Sequence, residues 1–287
     1  MLPLFDDILE TLVYLAVSFL LFFIGKTVYQ WFHPGVKVNY ELVEHDNFAF
    51  SIAYVGYFIG LLAAIGSALL GESAGLVQDL IDIGIYGALS ILLLNLSILI
   101  NDKLILRKFD VKKEIVEDRN VGTGVVEGAM AVSTGLIVLG AIHGEGHGAG
   151  GPIITAVLYW ILGQALMYVT SLVYNLITPY DIHEHIKKGN IAVGIGFAGA
   201  LIAIGNLIRF ALMHDFEDWL ITLEGVALDV GIGLVFLPIV RFLADKILLP
   251  GQNLTDELVN QEHPNNGAAL VEAFAYIGGS VLITWLL

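Results

Sequence analysis

The chain has no cysteine, and only 14% of its 287 residues are charged. Without cysteine it can form neither disulfides nor thiolate-ligated zinc or iron–sulfur centres. Soluble domains average about 25% charged residues, so the scarcity of charge argues against a protein whose main solvent is water. The sequence also lacks a Walker loop, a G-x-S-x-G elbow and an H-E-x-x-H helix. We therefore expect no enzymatic activity, no cofactor and no metal centre.

Long apolar runs take the place of charge. Hydrophobic residues make up 57% of the chain, and its mean hydropathy is +0.80. A helix needs about 20 residues to cross the hydrocarbon of a bilayer. The sequence therefore predicts an all-α, polytopic membrane helix bundle with eight transmembrane helices. The predicted spans are Ile8–Phe32, Phe48–Leu70, Leu76–Ile100, Val121–Ile142, Ile153–Ile177, Ile191–Met213, Trp219–Leu243 and Gly267–Leu287.

An internal repeat organises these spans. Four asparagines, spaced by 73, 70 and 75 residues, each precede an apolar run and are followed two residues later by Ala or Gly: Asn47, Asn120, Asn190 and Asn265. The halves match at an offset of 143, which relates Asp102 to Asp245, and after a short insertion at 145, which relates Glu127 to Glu272. A fixed repeat defines the folding unit. We predict two four-helix repeats, 1–146 and 147–287, each made of two hairpins.

The basic residues predict the orientation. If the N-terminus is outside, twelve of the thirteen Lys and Arg residues fall on or near the cytoplasmic side, and only Arg209 falls outside. This bias satisfies the positive-inside rule, with both termini outside. An even number of spans per half makes the repeats parallel about an axis along the membrane normal. A pseudo-fourfold bundle of hairpins is one possible arrangement.

The repeated asparagines have a local explanation. Asn is among the best helix N-caps, because its side-chain oxygen accepts a hydrogen bond from a free backbone N–H. Small residues follow at helical spacing, as with Ala49, Ala53, Gly56 and Gly60. Such residues let membrane helices approach closely. We predict capping at all four positions, central even-numbered spans, and bulkier odd-numbered spans facing lipid.

Glu127 and Glu272 are the most informative single residues. Each lies seven residues after its Asn, about 10 Å along the helix from the boundary at 1.5 Å per residue. Tyr54 and Asn95 fall at a similar depth. Ionised groups within hydrocarbon are costly, and such residues mark pathways or pair with neighbours. Two interpretations stay open: a hydrogen-bonded or protonated structural contact, or an ion or proton pathway or headgroup site.

Other polar residues offer weaker candidates. Asp229 in the seventh span breaks the internal symmetry, because its first-half counterpart is Tyr86. It could pair across helices or mark a one-sided pathway. His143, Glu145 and His147 could meet at a divalent cation, but their loop is rich in glycine, which favours a flexible turn.

A basic stretch follows the third span. Its five cations could contact anionic lipid headgroups, or could serve only to orient the chain. We expect membrane lipids, further copies of this chain and proteins at the cytoplasmic loops as partners, and no nucleic acid. The five residues are Lys103, Arg107, Lys108, Lys112 and Lys113.

Taken together, these features resemble a known family. The chain resembles two tandem copies of the YjfL-like inner-membrane proteins, domain of unknown function 350. The resemblance rests on four spans per unit, an Asn before the second and fourth spans, and a Glu seven residues after the Asn of the fourth span. The inner stretches Asp102–Leu106 and Arg107–Asp110 are also similar. The second copy has Pro250–Gln252 where the first has Arg107–Phe109. The resemblance implies a prokaryotic cytoplasmic membrane protein without an established activity. A channel or transporter that uses both glutamates, and a membrane-organising or lipid- and partner-binding scaffold, are the two functions to distinguish.

Overall fold

The computed structural model describes residues 2–70, 73–108, 110–143, 151–214, 216, 218–248 and 251–287. Within these ranges the fold is all-α, and eight helices are long and apolar enough to cross a membrane. A ninth helix, α6, is short. The helices are α1 Leu2–Phe32, α2 Phe48–Leu69, α3 Leu76–Leu104, α4 Val121–His143, α5 Pro152–Ile177, α6 Ile182–Lys187, α7 Ile191–Leu212, α8 Trp219–Leu243 and α9 Asn266–Leu286.

The membrane helices form two layers. One layer is a row in which α2 packs on α4, α4 on α7 and α7 on α9. The other layer contains α1, α3, α5 and α8, and each of the last three lies over the groove between two neighbours of the row. Within the described residues no helix packing joins α9 to α2, so the row is open. The pseudo-fourfold arrangement is therefore wrong: the four hairpins follow one another along a line.

Small residues set the spacing within the row. Gly56 of α2 lies against the backbone of Gly128 of α4, so closely that a side chain on Gly56 would collide with it. The same contact recurs between Gly199 of α7 and Ala273 of α9. Without side chains between them, the helix backbones can approach and gain dispersion contacts, as membrane helices require. The first and third interfaces of the row therefore share this contact.

Bulky residues end the row. Val55 and Leu62 of α2 lie eight and fifteen residues after Asn47, where α4 has Gly128 and Gly135 after Asn120. They are 56% and 59% exposed. At the other end Phe274, 68% exposed, takes the place that Gly56 has in α2. The two outermost faces therefore lack the glycines that the inner interfaces use.

Each helix of the row begins after a sharp change of chain direction. Short π-helical turns over Tyr40–Glu44, Lys113–Glu117 and Asp256–Asn260 precede α2, α4 and α9, while α6 precedes α7. The residue just before the Asn is left-handed in the first three hairpins, with φ of 47° at Asp46, 50° at Arg119 and 81° at Gly189. This backbone conformation turns the chain into the helix, and glycine adopts it without steric cost.

Candidate functional site

All four repeated asparagines cap the helices that follow them. The Asn Oδ1 accepts a hydrogen bond from the backbone N–H three residues further on, over 3.0–3.2 Å in every case. The donors are Phe50, Thr123, Val193 and Ala268. A backbone N–H that would otherwise be unsatisfied at a helix start is paired in this way.

The same side chains also connect neighbouring hairpins. Nδ2 of Asn47 donates to the carbonyl of Ile115 (2.9 Å), that of Asn120 to Ile186 (2.7 Å) and that of Asn190 to Leu258 (2.8 Å). Each acceptor lies just before the Asn of the next hairpin. Asn265, in the last hairpin, makes no such bond within the described part of the chain. The hydrogen-bond series therefore follows the row and stops where the row stops.

Three of the four asparagines also bind a buried glutamate. Nδ2 of Asn47, Asn120 and Asn265 also donates to Glu41, Glu114 and Glu257, over 2.8–2.9 Å. All three glutamates are at most 9% exposed. Sequence reasoning missed this role, although a glutamate six residues before each of the first three asparagines, and eight before the fourth, was a visible signal. At Asn190 the equivalent Glu184 binds Lys188 instead.

Glu127 lies beside a second acid. Its carboxyl group and that of Asp102, at the end of α3, are within hydrogen-bonding reach of each other. Oε2 of Glu127 and Oδ1 of Asp102 are buried, and no N–H or O–H of the described residues donates to either. Ionised carboxylates only accept hydrogen bonds. A hydrogen bond between these two groups therefore requires a proton on one of them.

Aromatic and amide side chains surround this acid pair. Tyr29 of α1 lies near Glu127 and Asp102, and its ring centroid is 4.6 Å from that of Tyr57 and 5.2 Å from that of Tyr54. Nδ2 of Asn95 donates to the Tyr57 hydroxyl (3.1 Å), which donates to the Gly25 carbonyl (2.8 Å). Tyr54 and Asn95 thus join the surroundings of the first-half acid pair, where the Tyr54 hydroxyl has no hydrogen-bond partner among the described residues.

Glu272 has a basic partner instead. Its Oε1 accepts a hydrogen bond of 2.7 Å from Nη1 of Arg241, and the pair is largely buried. Nη2 of Arg241 donates to Thr255 (3.3 Å), and the guanidinium lies 5.9 Å from the centre of the Tyr180 ring. Arg241 stands where the first half has Ile98. The two repeated glutamates therefore occupy separate sites of different chemistry.

Asp245, the counterpart of Asp102, takes no part in the Glu272 site through the hydrogen bonds described. Its Oδ1 accepts from the backbone N–H of Leu254 (2.8 Å), and its Oδ2 pairs with Lys246 (2.9 Å). In the second half, an Arg–Glu pair thus replaces the acid pair of the first half, and Asp245 instead binds the backbone of the loop that follows it. An offset in sequence does not preserve the partners of a side chain.

Asp229 lies far from the Arg241–Glu272 pair. Its Oδ2 is 3.2 Å from Nε2 of His214, and its side chain is 15% exposed. Twelve residues of α8 separate it from Arg241, which is about 18 Å along a helix. Arg209 binds Asn206 within its own helix (3.1 Å). Neither residue forms a polar layer with the glutamates.

The basic stretch after α3 is at the surface, and two of its five cations have protein contacts. Lys108 pairs with Asp181 (2.5 Å), and Nζ of Lys112 is 3.4 Å from the Pro34 carbonyl. Lys103, Arg107 and Lys113 are exposed. The Lys108 ammonium, as hydrogen-bond donor, holds the pKa of Asp181 below its usual range.

His183 occupies a buried position near this stretch. Its Nε2 lies 2.6 Å from the carbonyl of Ile105, which ties α6 to the loop after α3. Burial lowers the pKa of His183 below the ordinary histidine value of 6.5. Burial therefore favours the neutral imidazole at this contact between the halves.

No metal site is found where the structure can be described. Within those ranges no group of three His, Asp or Glu side chains is arranged to hold a metal ion. Of the outer-loop candidates, His143 ends α4, whereas Glu145 and His147 lie outside the described residues.

The structure is that of a multi-pass α-helical membrane protein, with eight membrane-length helices in two layers. Asparagine side chains link its repeated hairpins by hydrogen bonds. The chain belongs to the family described as Domain of Unknown Function (DUF350), which matches residues 3–142 and again 149–287. A curated relative, the UPF0719 transmembrane protein of Aquifex aeolicus (strain VF5), is 25% identical over 190 residues, which cover 66% of this chain and 68% of the relative. No solved structure matches the chain. The family expected from the sequence is confirmed.

Proposed function

We propose that this protein moves protons or cations across a prokaryotic cytoplasmic membrane, with both termini outside, and that the Asp102–Glu127 pair is its exchange site. The proposal includes no enzymatic activity. It differs from a mechanism that uses both repeated glutamates equally, because among the described residues only Glu127, and not Glu272, has a second acid beside it. The observation that carries it is that these two carboxyl groups lie within hydrogen-bonding reach of each other, while the buried Oε2 of Glu127 and Oδ1 of Asp102 receive no hydrogen bond from any described N–H or O–H.

A proton fits this site better than a metal ion. Two carboxyl groups can share one proton through a single hydrogen bond, and the resulting pair carries one negative charge instead of two. A hard divalent cation would require about six oxygen ligands. Asp102 ends α3 at the basic end of the molecule and Glu127 lies within α4, so a proton held between them bridges a helix terminus and the membrane interior.

The second half supports the proposal as an internal contrast. Arg241 neutralises Glu272 with a direct hydrogen bond, and a carboxylate held in this way has no need of a proton. Truncating one partner of a buried ion pair leaves an uncompensated charge, which is strongly destabilising. We therefore assign Glu272 a structural role and Glu127 the exchange role.

The test is proton flux in liposomes. Purified protein is reconstituted with an internal pH-sensitive dye, and a potassium gradient with valinomycin drives proton entry. Glu127→Gln and Asp102→Asn should each lower the protein-dependent rate at least about tenfold, since each removes one member of the proton-sharing pair. The amide of Gln can still donate to the remaining carboxylate, so the fold should be retained.

Glu117→Gln is the matched control, because this glutamate is exposed and ends the turn before the same helix. Its flux should equal that of the unmodified protein. Circular dichroism and gel filtration verify that all variants fold. Equal flux in the folded Glu127→Gln variant, or no flux above empty liposomes in any variant, would exclude proton translocation by this pair.

A lipid- and partner-binding scaffold is the second candidate. It is favoured by the three exposed cations of the basic stretch whose side chains form no hydrogen bond or ion pair with a described residue, Lys103, Arg107 and Lys113. Each cation near an anionic membrane surface contributes about 1 kcal/mol. If the protein acts through this surface, neutralising Lys103, Arg107 and Lys113 together should release co-purified lipids or proteins and leave flux unchanged. This second proposal includes self-association of the chain. The molecular mass of the purified protein measures the number of copies.

A further inference from the structure

We propose that the first half binds a phosphate group in a cavity between α1 and the turn that precedes α2. The cavity has a volume of about 450 Å³ and lies at the basic end of the molecule. Lys26, Lys37, Asn39 and Tyr54 line it with polar groups, and Phe23 and Val38 provide apolar wall. Tyr54 also belongs to the surroundings of the acid pair, but phosphate binding does not depend on proton exchange.

Charge is the first argument. The chain has 13 basic residues against 28 acidic ones and a formal net charge of −15, so most of its surface repels anions. Lys108, Lys188 and Lys246 each pair with a carboxylate. Lys26 and Lys37 form no such pair with any described residue, yet both line one cavity. Two unneutralised cations at one cavity attract an anion.

Hydrogen bonding is the second argument. The Tyr54 side chain is 7% exposed, lines the cavity, and has a buried hydroxyl with no partner among the described residues. A buried hydroxyl without a partner is costly, so a ligand that reaches it from the cavity would gain by supplying the missing acceptor. Two other polar lining groups are engaged: the Thr27 hydroxyl donates to the Phe23 carbonyl and the Gln30 amide to the Val36 carbonyl. The remaining donors are thus two ammonium groups, the Asn39 amide and a phenol, which are groups that donate to phosphate oxygens.

The second half supplies the third argument. Aligning Tyr29 with Tyr174 and Pro34 with Pro179 puts Ser171 in the place of Lys26. Phe197 takes the place of Tyr54 at the offset of 143. The four-helix unit therefore folds without the cation and without the phenol. Their presence in the first half is a feature of that cavity and not a requirement of the fold.

Position in the bilayer allows two sources of phosphate. Lys26 lies six residues before the end of α1, where a long side chain can extend along apolar wall while its ammonium group reaches the boundary. A glycerophospholipid headgroup would enter from the membrane side, and a free phosphate from water. The shared chemistry is the phosphate group, and the acyl chains distinguish the sources.

Calorimetric titration of the full-length protein in a non-ionic detergent tests the site. Three probes are used: dioctanoyl phosphatidic acid, inorganic phosphate, and dioctanoylglycerol, which lacks the phosphate. Lys26→Ser and Tyr54→Phe introduce the residues that the second half already has, and Lys37→Gln removes the second charge. We expect each lysine change to raise the Kd about fivefold, and Tyr54→Phe to raise it about tenfold.

Lys187→Gln is the control, since Lys187 is exposed and lies on α6, away from the cavity. Phosphatidic acid binding without phosphate binding assigns a lipid headgroup, and equal Kd values for both assign free phosphate. The proposal is overturned if neither phosphate probe binds, if dioctanoylglycerol binds as well as phosphatidic acid, or if Lys187→Gln weakens binding as much as the cavity variants do. Circular dichroism of each variant establishes that it is folded.

Discussion

Asn120 and Ile186 join the two halves of the molecule. Nδ2 of Asn120 donates to the Ile186 carbonyl over 2.7 Å, while Oδ1 of the same side chain caps α4. One side chain thus fixes where a membrane helix starts and how far the next hairpin lies from it. Because equivalent bonds follow Asn47 and Asn190, the first three hairpins are positioned by the same device.

The first prediction compares Asn120 with Asn265. Asn120→Ala removes a cap, a bond to buried Glu114 and the bond to Ile186, and should lower the free energy of unfolding by about 2–4 kcal/mol. Asn265→Ala removes only the cap and the bond to Glu257, and should cost about 1–2 kcal/mol. Unfolding in mixed micelles of rising SDS fraction measures both. Equal losses would show that the bond between hairpins contributes nothing.

The second prediction concerns two glycines of α2. A Cβ at Gly56 would collide with the backbone of Gly128, so Gly56→Ala should destabilise the protein by about 1–3 kcal/mol through overpacking. Gly66 has open space around its Cβ position, so Gly66→Ala should be neutral or stabilise by up to about 1 kcal/mol through helix propensity. Thermal unfolding in detergent distinguishes them. Opposite signs are expected, and a similar loss in both would refute close packing at Gly56.

The third prediction addresses the Arg241–Glu272 pair. Removing one partner, as in Glu272→Gln or Arg241→Gln, should destabilise the protein by about 3–5 kcal/mol, because the other charge stays buried. Replacing both by leucine should cost less than either single change, since no charge is then left unpaired. Combining Glu272→Gln with Arg241→Gln completes a double-mutant cycle, which gives the coupling free energy from equilibrium unfolding. Additive losses would mean that the two side chains do not interact.

The fourth prediction is a pH dependence at His183. Burial holds its pKa in the folded protein below 6.5, so the unfolded chain takes up a proton first as the pH falls. The free energy of unfolding should therefore be constant above the unfolded value and decrease below about pH 6.5, down to the lower folded pKa. Unfolding from pH 8 to pH 5 should show the decrease, and His183→Gln should flatten it. The same slope in the variant would assign the effect to other groups.

The membrane helices could be predicted closely from the sequence. The span predicted as Phe48–Leu70 is the helix Phe48–Leu69, because apolar length and an Asn before the first apolar residue are both local signals. The span predicted as Leu76–Ile100 runs on to Leu104, since Asn101 to Leu104 are polar in part but continue the helical hydrogen bonding. Local patterns thus give the existence of a helix more reliably than its end.

The lateral order of the helices could not be predicted in the same way. Repeat parity fixes which way each helix runs, but a ring and a row satisfy it equally. The distinction depends on Val55, Leu62 and Phe274, which stand where inner interfaces have glycines, and this meaning is visible only once the faces of the helices are known. The sequence repeat thus identifies the repeating hairpin, whereas the exceptions to the repeat mark the two ends of the row of helices.

The site was predicted in part. The depth of Glu127 and Glu272 follows from their distance to an Asn, but their partners do not. Asp102 is brought to Glu127 by the packing of α3 on α4, and Arg241 to Glu272 by that of α8 on α9. Arg241 and Ile98 occupy matching positions, so this exception to the repeat was visible in the sequence. That it gives Glu272 a basic partner could not be predicted from the sequence.

The open row has a consequence for how such proteins can change in size. A ring must close, so each repeat added to it alters the packing angle at every interface between repeats. A row imposes no such condition. In a chain with two hairpins fewer, or two more, the remaining interfaces between hairpins would be unchanged. Gene duplication could therefore lengthen this architecture step by step, with only the two outermost helices needing larger side chains where they meet lipid.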